Sequence, residues 1–141
     1  MIDGSGTHVC PIRVYYEDTD AAGIVYYANY MKFAERGRTE MLRSVGLAHR
    51  DLLADHGIAF AVRNLSADYL RPARLDDSLT VHSRLIELRG ASMSAKQVVR
   101  RADEDLVRMT VRLACIDRQG QPARLPKTLR AALGAYSYDT R

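Results

Sequence analysis

At 141 residues the chain has the length of one domain, and 47% apolar with 27% charged residues excludes bulk disorder and repetitive fibrous classes. Lys and Arg exceed Asp and Glu by 21 − 17 = 4, a balance that suits an anionic partner such as a nucleotide-bearing cofactor, phosphate, nucleic acid or membrane surface. The two cysteines, Cys10 and Cys115, lie far apart with no CxxC or Cys/His spacing, so they suggest neither a disulfide framework nor a zinc site, and a reducing compartment is expected.

Residues 1–7 are expected to form a mobile end, with a single domain over 8–134 and a polar tail over 135–141. The start carries neither a basic nor an apolar signal region, and no run of 18 apolar residues occurs, so the protein is expected in the cytoplasm without a transmembrane segment. Val9 to Tyr16 has strand composition, which Pro11 confines to an edge or a strand start. Glu17, Asp18 and Asp20 then precede Gly23, which permits a turn, and Asn29 is a candidate helix N-cap. From Tyr30 to Val45 one stripe carries Tyr30, Phe33, Ala34, Gly37, Met41 and Val45, the pattern of a helix laid on a surface. Gly37 on that stripe predicts close backbone approach, and Gly46 a left-handed stop. A second short helix over 48–56 stops at Gly57 in the same way.

The second half has period 2. Ile58, Phe60 and Val62 alternate, then Leu65, Ala67 and Tyr69 alternate out of phase, which predicts a bulge near Arg63 or Asn64. Pro72 closes that strand. Further strands are expected around Leu79 to Leu85, Ser92 to Ala102 and Val107 to Cys115, followed by a helix from Lys127 to Leu133 behind Pro126. One long striped helix and one antiparallel sheet give an α+β domain whose sheet wraps the helix.

A carboxylate at a strand-to-helix junction faces the N–H groups of the helix start, an arrangement able to polarise and attack a carbonyl. Asp20 and Asp18 each have an ordinary alternative as turn or cap residues. A divalent-metal Asp-x-Asp site is disfavoured, because the domain is small and lacks a glycine-rich phosphate loop. Glu35 and Glu40 sit among Arg36, Arg38 and Arg43, which favours solvated or ion-paired roles. The four histidines show no metal spacing.

The run from Tyr16 to Tyr30, with Glu35-Arg36 and the later Tyr69-Leu70-Arg71-Pro72-Ala73-Arg74-Leu75-Asp76-Asp77, resembles the hotdog-fold acyl-CoA thioesterases. The Tol-Pal-associated branch is most similar, with 4-hydroxybenzoyl-CoA thioesterases near it, and the likeness spans residues 8 to 132. The resemblance implies a five-stranded antiparallel sheet around a long central helix, assembled as homodimers or homotetramers with sites at subunit interfaces. It implies hydrolysis of an acyl-CoA thioester, with Asp20 as nucleophile or general base and the Tyr27 backbone N–H holding the carbonyl oxygen. Many relatives of the branch carry His at that position, so a side-chain role for Tyr27 does not carry over. Tyr16, Gly23, Val25 and Ser66 are the implied substrate-binding residues, with no metal and no cofactor beyond the coenzyme A of the substrate. Arg71, Arg74, Arg89, Lys96, Arg100 and Arg101 are candidates for its phosphates. A link to the Tol-Pal envelope system is implied as well. The alternatives are a hydratase, disfavoured because no His stands near the motif, and a non-catalytic acyl-CoA-binding or envelope-complex protein. Nucleic-acid binding is not expected, since no recognition motif accompanies the basic charge.

Overall fold

The computed structural model describes residues 3, 4 and 6–134. Part of the expected mobile end and all of the expected tail over 135–141 lie outside the described residues. Five strands form one antiparallel sheet in the order β1-β3-β4-β5-β2, with β1 His8–Arg13, β2 Ile58–Tyr69, β3 Ser78–Leu88, β4 Ser92–Arg101 and β5 Glu104–Asp117. Pro11 sits on β1, an edge strand, where its missing N–H costs little. The phase change in β2 is a register shift between Val62 and Asn64 against β5.

Helix α1, Asn29–Arg43, lies across the sheet and buries Tyr30, Phe33, Ala34, Gly37, Met41 and Leu42. Gly37 marks the closest approach, for a Cβ there would stand 2.7 Å from Val81 Cγ1. The helix stops as the sequence predicts: Gly46 has φ +82°, its N–H bonds Arg43 O at 3.0 Å, and the Leu47 N–H bonds Leu42 O at 2.9 Å. A short α2, His49–Asp51, continues as a wide turn over Leu52–His56 and ends at Gly57, φ +65°. Helix α3, Lys127–Leu133, follows Pro126 and buries Leu129 and Leu133.

Two expectations change. The first strand ends at Arg13 and Tyr16–Asp18 forms a single tight helical turn, because Val14 leaves β1 to pair with the Asp76–Asp77 turn. Asn29 is the first helical residue rather than the cap; its Nδ2 donates to Asp18 O at 2.9 Å. Arg38, a neighbour of Glu35 on the helix, is buried at 6% exposure. Its Nη1 donates to Gln97 Oε1 at 3.0 Å, while Gln97 Nε2 donates to Ala34 O and Ser83 Oγ, both at 2.9 Å. This polar strut divides the interior. On one side Met41, Leu42, Leu85 and Met93 pack with α3; on the other Tyr30, Phe33, Val81 and Val99 pack with β1.

Candidate active site

Between β1 and α1 the chain builds a small hairpin whose hydrogen bonds account for the acidic cluster. Asp18 is structural: its Oδ2 accepts the Tyr15 N–H at 2.8 Å, and its carbonyl accepts the Tyr26 N–H at 3.0 Å besides Asn29 Nδ2. Thr19 then pairs with Val25 and the Asp20 N–H with Ile24 O at 2.9 Å. The turn closes through the Gly23 N–H to Asp20 O at 3.0 Å, with φ +77° at Gly23. Such a φ suits glycine, and an added Cβ would meet open space there.

Asp20 heads this turn. Its Oδ1 accepts the Ala22 N–H at 2.8 Å, while Oδ2 has no donor among the described residues and the side chain is exposed. The other arm of the hairpin runs straight into the start of α1. There the N–H groups of Tyr27 and Ala28 have no acceptor among the described residues. Tyr27 lies about 10 Å from Asp20 by strand spacing. Free N–H groups at a helix start, together with the helix dipole, favour negative charge on a group bound there.

Beside them lies a cavity of about 330 Å³, lined by Ile24, Val25, Tyr27, Tyr30, Tyr69 and Pro72 among others. The rings of Tyr27 and Tyr69 meet edge to face at 6.2 Å, and the Tyr69 hydroxyl donates to Tyr27 O at 3.4 Å. Tyr30 accepts the Ala73 N–H on its hydroxyl at 2.9 Å, and burial pushes its ionisation up, so it stays neutral. The Pro72–Arg74 segment is fixed to the hairpin by the Ile24–Arg74 bridge and the Val25 N–H to Ala73 O bond at 2.8 Å.

Of the residues expected at the site, Val25 and Tyr27 line the cavity, while Asp20 and Gly23 form the turn of the same hairpin and line no part of it. Tyr16 belongs to neither: it projects from the helical turn at 83% exposure and lines no part of the cavity. Ser66 is outside both. The bulge puts it opposite Thr110, on the sheet face turned away from α1. Tyr69, Leu70 and Pro72 line the cavity although composition marks them only as a strand end. Their place in the second motif was the available signal. Of the candidate phosphate-binding cations, Arg71 borders the cavity, and Arg74 lies across from Ile24. Arg100 and Arg101 are engaged by Asp105 and Asp77 at 2.7 and 2.8 Å, and Arg89 pairs with Glu87.

A five-stranded antiparallel sheet wrapped on one long helix is the hotdog fold of the thioesterases. The model of the "Thioesterase superfamily" matches residues 22–108, and the chain belongs to that superfamily. It is 43% identical over 123 residues to the acyl-CoA thioesterase YbgC of Haemophilus influenzae, covering 86% of this chain and 90% of that one. It is 42% identical to the acyl-CoA thioester hydrolase YbgC of Escherichia coli, covering 86% and 91%. Among solved structures, a probable thioesterase from Bartonella henselae superposes with a TM-score of 0.83 at 38% identity, over 85% of this chain and 99% of that chain.

Proposed function

We propose that the chain hydrolyses acyl-CoA thioesters, with Asp20 as the catalytic carboxylate and the Tyr27 N–H as the donor that holds the thioester oxygen. The carrying observation is the hairpin that leaves Oδ2 of Asp20 unengaged at its turn and runs by its other arm into a helix start whose first N–H groups lack acceptors among the described residues. The names of the similar proteins from Haemophilus influenzae and Escherichia coli support the choice of acyl-CoA.

Two routes use the same atoms. In one, an Asp20 oxygen attacks the thioester carbon, the C–S bond breaks, and coenzyme A leaves as a thiolate that takes a proton from water; a second water then opens the mixed anhydride. In the other, Asp20 takes a proton from water as that water attacks the thioester carbon, the C–S bond breaks, and the proton passes to the departing coenzyme A thiolate. Either way the carbonyl oxygen becomes negative, and a donor such as the Tyr27 N–H on that oxygen is worth about 2.7–4 kcal/mol.

Asp20→Asn is expected to lower kcat by about 10²-fold or more while acyl-CoA still binds and the protein remains folded. Thiol release would be followed over short, long and aromatic acyl-CoAs, and undiminished turnover in this variant would overturn the assignment. Assembly of two or more copies, cytoplasmic location and a link to the Tol-Pal envelope system belong to the same proposal through the family resemblance. No helix among the described residues is long and apolar enough to cross a membrane.

A further inference from the structure

Ala73 holds the chain on both sides of Tyr27. Its O accepts the Val25 N–H at 2.8 Å, and its own N–H donates to the Tyr30 hydroxyl at 2.9 Å. Tyr27, whose N–H is the proposed donor to the thioester oxygen, stands between these two anchors in the chain. The place of that N–H therefore depends on what fixes Ala73.

Arg101, at the end of β4, supplies the answer together with Asp77. Its Nη1 donates to Pro72 O at 3.3 Å and to Asp77 Oδ2 at 2.8 Å, while its Nη2 donates to Glu104. Asp77 Oδ2 also accepts the Arg74 N–H at 2.8 Å. One ion pair thus grips the backbone at residues 72 and 74, immediately before and after Ala73. The bonds to Asp77 and Glu104 push the ionisation of Arg101 up, so the guanidinium keeps its charge. Its planar fork reaches several acceptors at once in a fixed geometry, which a lysine ammonium does not reproduce. Arg108 pairs with Asp105 instead, outside this segment.

We propose that Arg101 and Asp77 are a positioning pair for thioester hydrolysis: they fix Pro72 and Arg74, Ala73 between them fixes Val25 and Tyr30, and these fix the Tyr27 N–H. The role rests on the proposed function, whereas the grip on Ala73 stands without it. It also gives Arg101, a sequence candidate for the coenzyme A phosphates, work away from them.

The test compares hydrolysis of hexanoyl-CoA with that of hexanoyl-N-acetylcysteamine, a thioester without phosphates, alongside hydrogen exchange at the Val25 amide. Arg101→Gln is expected to lower kcat/KM on both thioesters by the same factor, about tenfold, with the loss on hexanoyl-CoA lying in kcat. Val25 exchange is expected to quicken, while the Arg130 amide in α3 stays as it was. Asp77→Asn, which keeps an acceptor for the Arg74 N–H, is expected to act in the same direction and more weakly, and it carries the comparison if the Arg101 variant folds poorly. Arg108→Gln is expected to leave kcat unchanged; an equal loss there would reduce the effect to general loosening and overturn the pair. A raised KM for hexanoyl-CoA alone would make Arg101 a phosphate ligand and overturn it too. So would full kcat with faster Val25 exchange, or lowered kcat with unchanged exchange, because the route runs through Ala73. A wild type that hydrolyses neither thioester would remove the proposed function and the role in it, leaving Val25 exchange to decide whether the pair grips Ala73.

Discussion

Tyr30 shows how much of the candidate site hangs on single atoms. Its ring is 3% exposed and packs against Phe33 and Tyr69, while its hydroxyl accepts the buried Ala73 N–H. Tyr30→Phe keeps the ring and orphans that N–H, a loss of about 1–3 kcal/mol. Ala73 O in turn receives the Val25 N–H, so the damage reaches the hairpin. The variant is expected to unfold at lower urea and to exchange the Val25 amide faster; unchanged exchange would show that the hydroxyl does not brace the hairpin. Residue identity was partly legible at this scale. The turn at Gly23 and the structural role of Asp18 were legible from local spacing. Tyr16 and Ser66 were not, because the first depends on where β1 lets go of the sheet and the second on which face a bulge presents.

Among the elements, α1 is fitted to the sheet at one point. A Cβ on Gly37 would stand 2.7 Å from Val81 Cγ1 and 3.3 Å from Ser83 Oγ, both on fully buried β-strand residues that cannot swing away. Gly37→Ala is therefore expected to destabilise. Overpacking costs about 1–3 kcal/mol, against about 1 kcal/mol returned by better helix propensity. A chemical denaturation midpoint at or above that of the wild type would contradict this. The helix stripe, its Gly46 stop and the β2 bulge were all visible in the sequence because each follows from local spacing or backbone freedom. The burial of Arg38 was not. It depends on Gln97 and Ser83, 59 and 45 residues away, sharing one level of the sheet with it.

For the molecule as a whole, β2 is the exposed question. It is a 12-residue edge strand, and Val62 on its α1-facing side is 51% exposed. Long, half-apolar edges are ordinarily blunted or covered, so a second copy pairing along β2 is the arrangement expected here. Val62→Asp should shift the sedimenting species from dimer or larger to monomer and lower thioester turnover with it. A wild type that sediments as a monomer at all concentrations would refute this. The strut of Arg38, Gln97 and Ser83 carries a consequence for how such a protein diverges over time. Because the cluster behind the Asp20 hairpin and the cluster under α3 meet only across that polar level, substitutions in one seldom need compensation in the other. Core substitutions at the two ends of this small domain are therefore expected to add in their effect on stability rather than to couple.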